Sequence, residues 1–251
     1  MKKITQCPAC NEYVQPLTPI IDTINTVNRL KCLDCGAIFF EYDMQEASQY
    51  DADYNAHFVR YGDIKKAIYY SRLLETTALI FPEEPEILEI GPGSGLIMLE
   101  LTGRGLRIEG VEKDRSTADR LQKDHGLPVR CGGLECLTNE KKWDIIFSSH
   151  VIEHWTSPKD FLKHCTAHIE DHGIIIINTP CADYAKGNPA NWHHCKTRQQ
   201  FEHCCLLTKK ALTLCAQECS LEILNYMQHD KYESMDMWLT PKNKLFGGVV
   251  S

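Results

Sequence analysis

Nearly continuous apolar runs alternate with stretches of helical periodicity through most of the chain. Strands are predicted at 87–88, 106–111, 129–131, 143–149, 174–177, 221–227 and 235–239, of which 87–88, 143–149 and 174–177 are the most apolar. Helices are predicted where apolar residues recur every three or four positions: at 63–81, 96–101 and 116–123, from Pro158 onward, and after Thr208. In the helix that starts at Pro158, the expected buried stripe is Phe161, Leu162, Cys165 and Ile169. This alternation is typical of an α/β fold whose parallel sheet is covered by helices on both faces.

A glycine-rich turn follows the first of these central strands, in the sequence Glu-Ile-Gly-Pro-Gly-Ser-Gly-Leu at 89–96. Gly91, Gly93 and Gly95 allow unusual backbone angles and carry no Cβ atom that would block a ligand. A turn of this kind at the start of a helix lets the backbone approach a nucleotide-like ligand closely, although a tight turn without a ligand has the same pattern. Glu112 ends the next strand, 21 residues beyond Gly91, where a carboxylate can accept both hydroxyls of a ribose.

Composition limits the classes of partner. The 251 residues suffice for one substantial α/β domain and a small appendage, and hydrophobic (43%) and charged (24%) contents are ordinary. The net charge of −7 argues against nucleic acid or an anionic membrane as a partner. No apolar run approaches the ~18 residues that a membrane span needs.

Two C-x-x-C pairs lie in the first 45 residues. Cys7, Cys10, Cys32 and Cys35 can supply four thiolates to a closed tetrahedral Zn²⁺ site, which is structural because no coordination position stays open. Redox dithiols and buried cysteines are the alternatives. We predict a zinc ribbon at 1–45, a linker with N-terminal helices at 46–82, and the main domain at 83–251. Thirteen cysteines and no apolar signal segment at the N-terminus predict reduced thiols and a cytoplasmic location.

The form E-x-G-x-G-x-G, with Glu89 two residues before Gly91, resembles motif I of the class I S-adenosylmethionine-dependent methyltransferases, and the resemblance covers about residues 60 to 240. It implies a Rossmann-like seven-stranded sheet of order 3-2-1-4-5-7-6 that ends in an antiparallel hairpin. It also implies S-adenosylmethionine as the cofactor, with Glu89 near its methionine amino group and Glu112 on its ribose. Further cofactor contacts implied by the resemblance are Lys113, Leu134, Ser149 and Tyr54.

The expected adenine contact differs from the family pattern. The family places an acidic residue after the third strand, where this chain has Gly132-Gly133. This leaves Glu135, or the backbone near Leu134, to contact the adenine.

Histidines mark the expected acceptor side. His150, Glu153 and His154 follow the 143–149 strand, and the spacing H-x-x-E-H allows a general base, a metal site or a structural loop. It resembles the E-x-x-E-H metal ligands of ubiquinone-pathway O-methyltransferases and small-RNA 2′-O-methyltransferases, with histidine in place of the first acid. His194 and His203 lie in a long polar segment that we expect to bind the acceptor, and Glu202-His203 resembles a segment of sugar and glycan methyltransferases.

These resemblances predict methylation of a small polar acceptor, such as a sugar, a nucleotide-sugar or a glycan-pathway metabolite. Two alternatives stay open. One is a metal-assisted RNA 2′-O-methyltransferase, and the other is an S-adenosylmethionine-binding scaffold without catalysis.

Overall fold

The structure is a computed structural model that describes residues 4–21, 26–41, 61–138, 141–185 and 203–242. Its strands are β1 (Val14–Ile21), β2 (Thr26–Cys32), β3 (Ile38–Glu41), β4 (Ile87–Ile90), β5 (Ile108–Glu112), β6 (Val129–Cys131), β7 (Trp143–Ser149), β8 (Ile169–Pro180), β9 (Cys205–Leu206), β10 (Leu221–His229) and β11 (Ser234–Pro241). Its α-helices are α1 (Tyr61–Ala78), α2 (Leu96–Gly103), α3 (Arg115–His125), α4 (Pro158–His168) and α5 (Lys209–Glu218). No helix in these ranges is both long and apolar enough to cross a membrane.

Seven strands form the larger sheet, in the order β6-β5-β4-β7-β8-β11-β10. Strand β4 runs parallel to β5 and β7, β5 runs parallel to β6, and β10 and β11 form an antiparallel hairpin. Numbered along the chain, the order is 3-2-1-4-5-7-6, which confirms the prediction. The central strands are buried on both faces, as their continuous apolar sequences require: every residue of β4 is buried, and so are Ile174 to Ile177 in β8.

Local signals set the helix ends. The Asp114 carboxylate accepts a hydrogen bond from the Thr117 N–H and caps the start of α3, and Gly126 ends that helix in the left-handed conformation. Thr208 caps α5 in the same way, accepting from the Ala211 N–H.

Strand β8 is longer than the sequence predicts. Ile169, expected in the buried stripe of a helix, is the first residue of β8, because α4 ends at His168. A single buried apolar residue fits either period, so the pattern cannot separate a last helical turn from a first strand residue. At the other end, β8 continues past the predicted end at residue 177 and includes Asn178. Its buried amide donates to the Asp236 carboxylate at 2.7 Å and to the Met235 carbonyl at 3.3 Å.

The smaller sheet has the order β1-β2-β3-β9, with all neighbours antiparallel. Strand β9 comes from the last third of the chain and pairs Cys205 with Phe39 and Leu206 with Ile38. The chain divides into two compact units, 1–48 with 149–166 and 177–242, and 49–148 with 167–176 and 243–251. The proposed boundaries at residues 45 and 82 stay a prediction.

Candidate active site

The glycine turn between β4 and α2 has the predicted conformation. Gly91, Gly93 and Gly95 have φ angles of 67°, 52° and 76°, a region that residues with a Cβ atom rarely adopt. A Cβ atom on Gly95 would lie 2.4 Å from the Leu121 side chain, so the turn packs tightly against α3. A Cβ atom on Gly93 would meet no atom of another described residue within 4 Å, its chain neighbours aside. The space beside Gly93 is therefore open to a ligand.

Glu89, the penultimate residue of β4, is 3% exposed, and its buried Oε2 atom has no hydrogen-bond partner among the described residues. Burial, and then the charge of Glu112, raise the pKa of Glu89 to about 8. A buried carboxylate oxygen without a hydrogen bond destabilises the fold, unless a bound ligand supplies the missing hydrogen bond. This position suits a cationic group such as an ammonium.

Glu112 ends β5 beside the same turn. Its carboxylate accepts hydrogen bonds from the Gly93 N–H at 3.3 Å and the Asp114 N–H at 2.9 Å. Burial raises the pKa of Glu112. The two backbone donors hold the carboxylate at the edge of the turn and leave lone pairs on both oxygens.

The other residues predicted to contact a cofactor differ in exposure. Lys113 is exposed, whereas the Leu134 side chain is 3% exposed and begins a short 3-10 turn, Leu134–Cys136. Glu135 is exposed and accepts a hydrogen bond from the Gly133 N–H at 3.1 Å. The Ser149 hydroxyl donates to the Asn178 side chain at 3.1 Å.

Two predicted residues, Tyr54 and His194, lie outside the described residues. Their proposed roles over the cofactor and at the acceptor therefore stay predictions.

Glu153 is the centre of a histidine cluster that follows β7. Its side chain is fully buried, its Oε1 lies 3.0 Å from His150 Nδ1, and its Oε2 accepts from the Thr179 hydroxyl at 2.9 Å. Burial alone would raise the pKa of Glu153, but the hydrogen bond from His150 and the nearby His154 and His203 rings hold it below the ordinary range. His150 has a φ of 57°, a strained angle of the kind that collects at functional sites.

His154 and His203 meet although 49 residues separate them in sequence. Their ring centres are 5.1 Å apart, and one potential ligand atom from each of Glu153, His154 and His203 lies within 4.8 Å of the others. The structure thus brings three predicted residues together: His150, His154 and His203. Thr179 was missed, and its only sequence signal is a polar residue soon after the run of four consecutive isoleucines in β8.

The four cysteines of the N-terminal pairs also converge. Their sulfur atoms lie within 4.8 Å of one another, with Cys7 and Cys35 at 3.6 Å and Cys10 and Cys32 at 3.4 Å. Sulfurs around tetrahedral zinc, bound at about 2.3 Å, are about 3.8 Å apart. The hydrogen bond from the Cys35 thiol lowers the pKa of Cys7.

Backbone donors support the same cluster. The Ala9 N–H and the Cys35 N–H donate to the sulfurs of Cys7 and Cys32, each at 3.4 Å. These bonds stabilise sulfur as thiolate. The donor set therefore fits a structural zinc ion.

Residues 63–226 match a family profile described as a methyltransferase domain. The ubiquinone biosynthesis O-methyltransferase of Rickettsia felis is 31% identical over 99 residues, which are 38% of this chain and 41% of that protein. The protein of the same name from Bradyrhizobium diazoefficiens is 30% identical over 98 residues, 37% of this chain and 39% of that protein. The chain spans about two fifths of the length of these curated relatives.

Solved structures are similar in fold. An S-adenosylmethionine-dependent methyltransferase from Clostridium acetobutylicum superposes with a TM-score of 0.53 at 13% identity, covering 77% of this chain and 96% of that one. The glycopeptide N-methyltransferase MtfA, complexed with S-adenosylhomocysteine, gives a TM-score of 0.54 at 11% identity, covering 68% and 88%. At these identities the similarity shows the fold alone.

Proposed function

This chain belongs to the class I S-adenosylmethionine-dependent methyltransferases, and from that premise we propose that it transfers a methyl group to a hydroxyl oxygen of a small polar acceptor. We choose oxygen as the methylated atom because a hydroxyl acceptor needs a general base, and His150 Nδ1 lies 3.0 Å from the buried carboxylate of Glu153. The O-methyltransferase names of the relatives support the same choice. A sugar, nucleotide-sugar or glycan-pathway metabolite is the acceptor class predicted from the sequence.

Glu89 and Glu112 are the proposed anchors of the cofactor. Glu89 Oε2, buried and unpaired within the part of the chain that the structure describes, suits the cofactor's amino group, and the Glu112 carboxylate suits its ribose hydroxyls. The open space beside Gly93 lets the backbone approach the ligand. When bound, S-adenosylmethionine supplies an electrophilic methyl group on a sulfonium.

His150 is the proposed general base. Pairing with the Glu153 carboxylate would keep the ring proton on Nδ1. Nε2 is then the unprotonated nitrogen, which would take the proton of the acceptor hydroxyl as the oxygen is methylated. Thr179 donates to the other oxygen of Glu153 and fixes the carboxylate in place. A fully buried carboxylate is a strong orienting partner because water does not screen it.

The test is methyl transfer from cofactor labelled on its methyl group, first to a native metabolite extract and then to purified sugars and nucleotide-sugars. We expect a product that carries the label on oxygen and a loss of transfer in the His150→Ala variant. Calorimetric titration with S-adenosylmethionine and with S-adenosylhomocysteine separates the alternatives. Binding without transfer to any acceptor would favour the scaffold, and binding of neither would remove both proposals.

Structural zinc is part of the proposal, held by Cys7, Cys10, Cys32 and Cys35, whose sulfur spacing and backbone donors suit a four-thiolate site. Zinc bound there would cross-link two turns of a small sheet and would not take part in chemistry. No cysteine among the described residues forms a disulfide, which supports a proposed cytoplasmic location.

A second candidate function is metal-assisted methylation of an RNA ribose 2′-hydroxyl. The observation that favours it is the convergence of Glu153, His154 and His203 within 4.8 Å, a set able to hold a divalent cation such as Mg²⁺ or Zn²⁺. Such an ion would lower the pKa of a bound hydroxyl. Transfer to short RNA that stops on chelation and returns with added Mg²⁺ would support this candidate. Transfer to a small acceptor that needs no added divalent ion would contradict it.

A further inference from the structure

Cys204 joins the histidine cluster to the four-cysteine cluster through its main chain. Its N–H donates to the Glu153 carbonyl at 2.7 Å, and its carbonyl accepts from the Phe40 N–H at 3.1 Å. Phe40 belongs to β3, the strand that follows the second cysteine pair. Because His203 directly precedes Cys204, these two bonds fix the backbone from which the His203 ring reaches His154.

The second cysteine pair also contacts the start of α5. The Thr208 hydroxyl donates to the Cys35 carbonyl at 2.5 Å, and it accepts from the Ala211 N–H at 3.0 Å. A Cβ atom on Gly36 would lie 3.2 Å from the Thr208 methyl group, so glycine allows this close approach. The Lys210 ammonium lies 2.7 Å from the Asp34 carboxylate.

The first cysteine pair rests on the same helix. The Cys215 thiol donates to the Ala9 carbonyl at 3.5 Å, and Ala9 has no exposed surface. Both metal-binding turns therefore contact α5, and strand β3 pairs with β9. The segment from His203 to Cys215 therefore contacts the turn of each cysteine pair and strand β3.

We propose that the four-cysteine cluster, when it holds its metal, positions His203 against His154, and that Thr208 is a positioning residue in this arrangement. The inference rests on the proposed zinc site. A sheet this small buries little apolar core, so a metal bound by its cysteines would be needed to keep it folded. Loss of the metal frees the turn at Cys35 and strand β3, and so removes the Phe40 donor from Cys204. The main-chain bond from Cys204 to the Glu153 carbonyl does not depend on β3 and remains.

Hydrogen exchange before and after metal removal tests the proposal. We expect at least tenfold faster amide exchange in 203–207 once the metal is stripped under reducing conditions, with β5, β10 and β11 unchanged. Unchanged protection in 203–207 would overturn the proposal. Equal loss across β10 and β11 would overturn it too, because a whole unit would then have unfolded. Metal analysis of the purified protein tests the zinc site independently of this proposal. A protein purified without zinc would contradict the zinc site itself.

Variants that keep the metal give a second test, read from the His203 ring signal in histidine-labelled protein by NMR. Thr208→Val, which cannot bond Cys35, should shift and broaden that signal and speed exchange at Cys204 with the metal content full. Thr208→Ser, which keeps the hydroxyl, should restore both. The matched control is Thr213→Val, on the same helix, where the hydroxyl donates only to the Lys209 carbonyl. An unshifted signal in Thr208→Val, or an equal shift in Thr213→Val, would overturn the proposal.

Discussion

Glu89 and Glu112 lie on neighbouring parallel strands, and the charge of Glu112 adds to burial in raising the pKa of Glu89 to about 8. The register pairs Glu89 with Gly110, which places Glu112 two residues further along β5. At pH 7 the free protein therefore holds Glu89 mostly protonated. An ammonium bound beside Glu89 Oε2 would favour the ionised form.

We predict that S-adenosylmethionine binding becomes tighter as pH rises from 6 to 8 and levels off above 8. Below a pKa of about 8 in the free protein, Glu89 must lose its proton before it can pair with the cofactor's amino group. Affinity should rise by up to about tenfold per pH unit in that range. Calorimetry at pH 7 in buffers of different ionisation enthalpy should show release of protons on binding.

Glu89→Gln is the control for this linkage. The amide keeps the shape of the side chain but carries no titrating proton, so its binding should weaken and lose the steep part of the pH dependence. Any slope that remains belongs to the cofactor's own amino group. A slope in the wild type no steeper than in the variant would exclude Glu89 as the source.

Glu112→Ala should weaken cofactor binding by about tenfold or more, because it removes charge-assisted hydrogen bonds to the ribose. Titration calorimetry against the wild type measures the change. Asp119→Ala is the matched control, since that carboxylate pairs with Lys123 on the surface of α3. Equal affinities for the wild type and Glu112→Ala would remove the ribose assignment.

Gly93 and Gly95 give a paired test of the turn. Alanine at either position is strained by about 1–2 kcal/mol, because both glycines have left-handed backbone angles. Only Gly95→Ala also clashes, with Leu121, so its unfolding free energy in urea should fall further. Gly93→Ala should fold and yet bind the cofactor at least tenfold more weakly, because its methyl group enters open space that the ligand would need. Comparable losses of stability in both variants, with binding intact in Gly93→Ala, would contradict this account.

The turn and the sheet could be predicted because each signal is local. Gly91 follows a strand, Leu96 opens a helix, and Glu112 ends the next strand, so chain order alone fixes a βαβ unit. The sheet order then came from resemblance to a known family. The convergence of the four cysteines could also be predicted, because two C-x-x-C pairs indicate a metal site whatever the fold between them.

Contacts between distant segments could not be predicted in the same way. Strand β9 has two residues, too few to show any period, and its partner Phe39 lies far away in sequence. The bond from Thr179 to Glu153 depends on how β8 is positioned after β7. The pairing of His203 with His154 depends on where β9 and β8 lie. The sequence could therefore mark each histidine as a candidate but could not show that the two are in contact.

Glu153 should make stability depend on pH. Its pKa in the folded protein is below the ordinary 4.5, so its contribution is fully present above that value and is lost as pH falls toward the folded pKa. Glu153→Gln should therefore be less stable than the wild type at pH 7, with the difference shrinking as the pH is lowered below about 4.5. Urea unfolding at pH 7, 5 and 3.5 measures this. A difference that grows on acidification would mean that the carboxylate is not stabilised by its histidines.

The His150–Glu153 pair makes the sharpest prediction about catalysis. His150→Ala removes the proposed base, and Glu153→Gln leaves the ring without an anionic partner, so each should lower kcat by about 10²–10⁴-fold while cofactor affinity changes little. Because the two residues act as one unit, the double variant should be hardly slower than the slower single variant. His125→Ala, at the exposed end of α3, is the control for loss of a histidine. Losses that multiply in the double variant would show independent roles, and an unchanged kcat in His150→Ala would assign the base to another residue.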